Sequence, residues 1–146
     1  MLTTKVLVVD DNEHHASGLA ELLQHAGFEA QFVKTGSGAL RIANEESVDA
    51  ILLDVGLPDV SGHEVCKRLR SDTKTANIAI VFHTGTQEGY YADHQGDAFL
   101  TYPVAFSELF SVIQGCVARR QRLKANSNVQ TDIDERQTAS FRFGPV

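Results

Sequence analysis

Cysteine is scarce in this chain: Cys66 and Cys116 are the only two among 146 residues. Two are too few for a disulfide framework, and both sit in apolar periodic segments where a thiol serves as a small hydrophobe. Structural thiols in a reducing compartment are the expectation. Long apolar runs are missing as well. No stretch approaches the ~20 apolar residues that span a bilayer. The first apolar run, Val6-Leu7-Val8-Val9, is closed at once by Asp10-Asp11, so the start does not read as a signal peptide. Basic residues are in deficit, with 13 Lys+Arg against 19 Asp+Glu and a formal net charge of −6. Residues 1–118 hold 7 basic and 16 acidic side chains (−9), and residues 119–146 hold 6 and 3 (+3). Nonspecific nucleic-acid binding needs Lys and Arg to neutralise phosphates, which an acidic body argues against. Internal repeats and low-complexity tracts are absent too. What is present, 42% hydrophobic and 22% charged residues, describes a cytoplasmic globular chain with room for one core and one domain.

Short apolar runs alternate with amphipathic stretches. Strands are predicted at Lys5–Val9, Phe28–Val33, Ala50–Leu53, Ile78–Phe82 and Ala98–Leu100. Helical spacing is predicted over Asn12–Ala26, with Gly27 as its stop, and over Ser37–Glu46 and Gly62–Arg70. A short helix is expected in Thr86–Gln95, where Tyr90, Tyr91 and Ala92 are the apolar content, and a last helix over Ser107–Leu123. From Lys124 the chain loses its apolar period, and residues 124–146 are expected to form a polar, disordered tail. Five strands alternating with five helices imply a parallel sheet with helices on both faces, because parallel strands need crossover connections.

Sites in open parallel sheets form at the carboxyl ends of the strands. Strand one ends at Asp10-Asp11, strand three at Asp54, strand four at Thr84 and strand five at Tyr102-Pro103. A single Asp after a strand is often a helix cap. Three acids at the ends of neighbouring strands are harder to explain that way, since clustered carboxylates repel. An oxygen-only acidic site suits a hard cation such as Mg²⁺, and a carboxylate nucleophile can form an aspartyl-phosphate. The residues therefore point to a Mg²⁺ and phosphoryl site.

The segments Val8-Val9-Asp10-Asp11-Asn12, Asp49-Ala50-Ile51-Leu52-Leu53-Asp54-Val55-Gly56-Leu57-Pro58-Asp59-Val60-Ser61-Gly62 and Phe82-His83-Thr84-Gly85 resemble the receiver domain of two-component response regulators. The likeness covers residues 4–123. It implies a flavodoxin-like sheet in order 2-1-3-4-5. It further implies that Asp54 accepts a phosphoryl group from a histidine kinase or phosphotransfer protein. Asp11, Asp54 and the carbonyl of Gly56 would bind Mg²⁺ directly, with Asp10 acting through water. Thr84 would hydrogen-bond the phosphoryl group and Phe99 would be the aromatic switch.

The departures from that pattern are informative. The family places a Lys where this chain has Tyr102, and an ammonium and an anion about 4 Å apart interact by roughly 4 kcal/mol at an effective dielectric near 20. A phenol offers one hydrogen bond, worth about 0.5–1.5 kcal/mol net. The Tyr102-Pro103 bond is expected to be cis, as the family's Lys-Pro bond usually is. The span from Thr84 to Phe99 is about one helical turn short. Gly85 stands where the family favours alanine and, with Gly56, is expected to open Asp54 to water.

Weaker signals resolve to plain readings. Gly36-Ser37-Gly38 resembles a dinucleotide loop, but Arg41 occupies the third glycine position. His14 and His15 are expected to be solvated, and His83 to point away from the pocket by strand alternation. Arg119, Arg120, Arg122 and Lys124 suit a helix C-terminus. A haloacid-dehalogenase-like phosphatase would want an acid where Asn12 stands. The leading expectation is a single-domain receiver acting as relay or switch and not as an enzyme. The alternative is a degenerate receiver that binds partners regardless of phosphorylation.

Overall fold

The computed structural model describes residues 3–142, with side chains described through residue 127. Five strands, β1 (Lys5–Val9), β2 (Glu29–Val33), β3 (Ala50–Leu53), β4 (Ala79–Thr84) and β5 (Ala98–Thr101), form one parallel sheet in order β2-β1-β3-β4-β5. Four helices connect or follow them: α1 (Glu13–His25), α2 (Gly36–Glu45), α3 (Gly62–Ser71) and α4 (Phe106–Arg142). This is the flavodoxin-like order expected.

Strand alternation sorts the core into two layers. Val6, Val8, Ala50, Leu52, Ala79 and Val81 face Leu19 and Leu23 of α1 and Leu109, Ile113 and Val117 of α4. Leu7, Val9, Ile51, Leu53, Ile80 and Phe82 face Ile42 of α2 and Val65 and Leu69 of α3. The three central strands are buried on both faces, which is why they read as unbroken apolar runs. Each fully buried Leu, Ile or Phe contributes about 1.5–3 kcal/mol of transfer free energy.

Local chemistry sets the helix ends. The side chains of Asn12, Thr35 and Ser61 accept from the N–H groups of His15, Gly38 and Glu64 at the starts of α1, α2 and α3. At the other end of α1, Gly27 takes φ +98° while its N–H donates to Gln24 O and that of Phe28 to Leu23 O. That paired closure needs a residue at ease in left-handed geometry. Asp59 accepts from the N–H groups of Gly36 and Ser37, both at 2.9 Å. With Thr35 taking Gly38, all three N–H groups of the Gly-Ser-Gly turn are engaged, so its likeness to a dinucleotide loop goes no further.

Two elements differ from expectation. The helix expected in Thr86–Gln95 is a single 3-10 turn at Gln87–Gly89, so the described residues form four α-helices and not five. Its sequence has no apolar stripe to hold a helix on the sheet. The chain instead lies close against the strands, where a Cβ at Gly96 would come within 2.7 Å of the Phe82 ring. The last helix also continues past Leu123 to Arg142. No Gly or Pro interrupts the chain between Gly115 and Gly144, so nothing breaks the helical backbone once the apolar stripe ends. The rest of the expected tail, residues 143–146, lies outside the described residues. Both cysteines are free, and burial pushes the Cys66 thiol up to about 11, as befits an inert core position.

Asp97 ties the base of β5 to the rest of the fold. It accepts from Arg70 Nη2 at 3.0 Å, from Arg120 Nη2 at 2.8 Å and from the Ile80 N–H at 2.9 Å, joining α3, α4 and β4. Removing one member of a buried ionic group strands its partners. Asp97→Asn should therefore destabilise the protein by about 3–5 kcal/mol in urea unfolding. A loss below about 1 kcal/mol would show that solvent reaches the two guanidinium groups.

Candidate functional site at the carboxyl edge of the sheet

Register brings the site together. Val9 pairs with Leu53 and Leu53 with Phe82, so the residues that follow, Asp10 and Asp54, leave neighbouring strands at one height. The Asp54 N–H donates to the Val9 carbonyl at 3.0 Å, which extends the ladder up to the site. Asp10 and Asp54 are buried and Asp11 is exposed at the rim. One carboxylate oxygen from each of the three lies within 4.8 Å of the others. Burial raises the Asp54 pKa above its ordinary value, and the charges of Asp10 and Asp11 add to the rise. The Thr84 side chain and the Gly56 N–H, 3.3 Å from Asp54 Oδ1, pull the other way. Three crowded carboxylate oxygens are the donor set that a hard divalent ion satisfies.

Thr84 closes β4 and is buried beside Asp54. Its carbonyl accepts from the Tyr102 N–H at 2.9 Å, and the Tyr102-Pro103 bond is cis. The Tyr102 ring lies over Gly85, so close that a Cβ there would stand 3.0 Å from Cε2 and 3.2 Å from the hydroxyl. Gly85 therefore does not open the pocket as expected, because the Tyr102 ring fills the space. Burial and the charges of Asp54, Asp10 and Asp11 raise the Tyr102 pKa, so its phenol stays protonated and able to donate. A Cβ at Gly56 would meet nothing within 4 Å, which leaves the loop after β3 open on that side.

Phe99 is half-buried in β5 against Phe82, with Tyr90 and His94 of the β4–β5 crossover packed on it at centroid distances of 5.2 and 5.8 Å. His63 of α3 binds the Gly89 carbonyl at 2.5 Å and holds the crossover down.

Sequence reasoning missed His15. Its Nδ1 lies 2.5 Å from Asp10 Oδ2, while the Asn12 N–H donates to Asp10 Oδ1 at 2.9 Å. The signal was present in the spacing: with Asn12 capping α1, the third residue of the helix turns back over the strand end it came from. His14, by contrast, is exposed as expected. His83 follows strand alternation onto the α1 and α4 face, but there it is buried against Tyr102 and His15, at 4.8 and 5.7 Å between ring centroids.

Residues 6–114 match the family model described as the response regulator receiver domain. The chain belongs to the response regulator receiver family. It is 35% identical over 117 residues to the sensory transduction protein RegX3 of Mycobacterium tuberculosis, covering 80% of this chain and 52% of that one. The chain thus spans about half the length of the first curated relatives it matches. It is 31% identical over 120 residues to the polar-differentiation response regulator DivK of Brucella ovis, covering 77% of this chain and 95% of that one. Among solved structures, the receiver domain of a sensor histidine kinase from Pseudomonas aeruginosa superposes with a TM-score of 0.73 at 22% identity, covering 80% of this chain and 99% of that one. That structure carries a magnesium ion in its active-site cleft. In this receiver domain no helix among the described residues is long and apolar enough to cross a membrane.

The ring cluster makes the stability of this receiver domain depend on pH. Burial, followed by the nearby His15, lowers the His83 pKa from 6.5 to about 4. Between those values the unfolded chain binds the proton and the folded chain does not, so stability rises with pH across the window. As pH falls from about 7 to about 4, the wild type should lose up to about 3 kcal/mol more than His83→Phe in urea unfolding. Parallel slopes for the two proteins would show that His83 titrates normally when folded.

Proposed function

We propose that this receiver domain accepts a phosphoryl group on Asp54, in a Mg²⁺-dependent transfer from the phosphohistidine of a histidine kinase or phosphotransfer protein. It would work in the cytoplasm as a relay or switch and not as an enzyme with a free substrate. The observation that carries this reading is the convergence of the Asp10, Asp11 and Asp54 carboxylates at one strand edge. Those residues and the Gly56 carbonyl would hold the ion. Bound there, Mg²⁺ would supply countercharge for Asp54 and the incoming phosphoryl oxygens. An Asp54 oxygen forms the new O–P bond as the donor's N–P bond breaks and its imidazole leaves. Thr84 supplies a hydroxyl to a phosphoryl oxygen, and Phe99, two residues before Thr101, the ladder partner of Thr84, lies where a shift of Thr84 would be felt. Tyr102 supplies one neutral donor in place of a fixed cation.

Coverage of 95% of the DivK relative supports action as a single receiver, and the magnesium-bound Pseudomonas receiver supports the choice of ion. A groove of about 340 Å³ beside the pocket, lined in part by Gly18, Leu22, Pro103 and Phe106, offers an apolar rim for the donor protein. Incubation with a small phosphodonor and Mg²⁺ should add one phosphoryl mass, and Asp54→Asn or omission of Mg²⁺ should abolish it. No adduct with that donor or with a cognate kinase would refute the reading. Tyr102→Lys should give a longer-lived adduct, followed by the decay of that mass.

A second reading follows from Tyr102 and the single-turn crossover. A receiver without the fixed cation and without an α-helix in the β4–β5 crossover can serve as an interaction module whose partner binding is indifferent to Asp54→Asn. Pull-down of a partner by the wild type and by Asp54→Asn separates the two.

A further inference from the structure

Three rings, His15, His83 and Tyr102, pack together beside the acidic pocket. His15 lies 4.6 Å from Tyr102 and 5.7 Å from His83, centroid to centroid, and Tyr102 lies 4.8 Å from His83. His83 is buried and neutral near pH 7. Packed from two sides, the His15 ring directs Nδ1 at Asp10 Oδ2. A carboxylate that ligates a cation is deprotonated and can only accept, so with Asp10 in that role the proton of this bond belongs to His15 Nδ1. The other oxygen, Oδ1, accepts from the Asn12 N–H at 2.9 Å. Asp10 is thus held at both oxygens, by a cap residue of α1 on one side and a stacked ring on the other.

Each carboxylate oxygen has two acceptor positions, so two donors leave Asp10 free to accept or bind on its remaining sides, toward Asp11 and Asp54. His15 itself lies outside the group of ligand atoms that fall within 4.8 Å of one another, so it is not a ligand of that cluster. Its contact with the site runs through Asp10. Donors of this kind orient a ligating carboxylate, and losing them typically costs 10–100-fold in metal affinity. From this geometry we infer that His15 is a positioning residue for divalent-cation binding: it fixes the carboxylate of Asp10, and Tyr102 and His83 fix His15. This assigns Tyr102 a role that replacement of a lysine does not by itself suggest. It supports the bracing of Asp10 from the side where the family carries a charge.

The inference rests on the reading of the acidic cluster as a Mg²⁺ site, and calorimetric titration with Mg²⁺ alone tests the two separately. His15→Phe keeps a ring in the stack and removes the donor; it should weaken Mg²⁺ binding about tenfold. His15→Asn keeps an N–H near the Nδ1 position and loses the ring, and it should bind within about threefold of the wild type. A purely structural role predicts the reverse order, with the ring-preserving variant closer to wild type. His15→Leu, also without a donor, carries the same expectation as His15→Phe should the latter not fold, with thermal unfolding of the metal-free proteins as the check. In the wild type, a downfield imidazole N–H proton of His15 should be visible by NMR and should vanish in Asp10→Asn. Mg²⁺ binding by His15→Phe and His15→Leu as tight as wild type would overturn the inference and leave the Mg²⁺ site standing. Absence of Mg²⁺ binding in the wild type would overturn both.

Discussion

Repulsion among three carboxylates held with oxygens within 4.8 Å of one another is the constraint around which this edge of the molecule is arranged. The parallel register of β1 and β3 leaves no alternative, because Val9 and Leu53 are partners and the acids follow them directly. Every neighbour then answers that charge in its own way. Backbone N–H groups of Asn12 and Gly56 donate to Asp10 and Asp54, and His15 Nδ1 lies against Asp10. The rise in the Asp54 pKa shows that these donors do not fully offset burial and crowding. A divalent cation would, which is why the site reads as a metal centre on its chemistry before any relative is considered.

The absence of a lysine at Tyr102 changes the character of that edge beyond its charge. An ammonium at the end of a flexible stem acts from a distance, whereas an aromatic ring needs a surface to pack on. Gly85 provides that surface on one side and His15 and His83 on the other, so four positions that look unrelated along the chain form one packed unit. The crossover between β4 and β5 shows a similar substitution of means. It has no amphipathic helix, and it is pinned by His63 on Gly89 and by rings packed edge-on against Phe99 and Phe82. Both departures lie between Thr84 and Pro103, the part of the fold that joins the acidic pocket to the outer face of β5.

Much of this fold was legible from periodicity. The core strands are short runs of Val, Ile and Leu closed by acids, and their burial on both faces needs no more than that pattern. The candidate site was legible for the same reason: Asp10, Asp11, Asp54 and Thr84 sit where apolar strands end, and parallel sheets gather such ends at one edge. His15 was not legible, because its role depends on the angle at which α1 leaves Asn12. The fit of Tyr102 over Gly85 was not legible either, since it joins residues 17 positions apart through the shape of a ring. The crossover failed as a helix because its few apolar residues, Tyr90 and Tyr91, lie on no common helical stripe.

The amino-acid sequence alone determined the alternation of strands and helices and the acidic character of one sheet edge, and its resemblance to receivers marked Tyr102 as standing where that family places a Lys. Hydrophobic period and residue type act locally, so they can be read without coordinates. Tertiary structure decided which groups answer that charge: His15 on Asp10, Tyr102 over Gly85, Asp97 between Arg70 and Arg120. Those pairings depend on ångström-scale distances between elements far apart in the chain, and a hydrogen bond or a ring contact exists only once packing has set them.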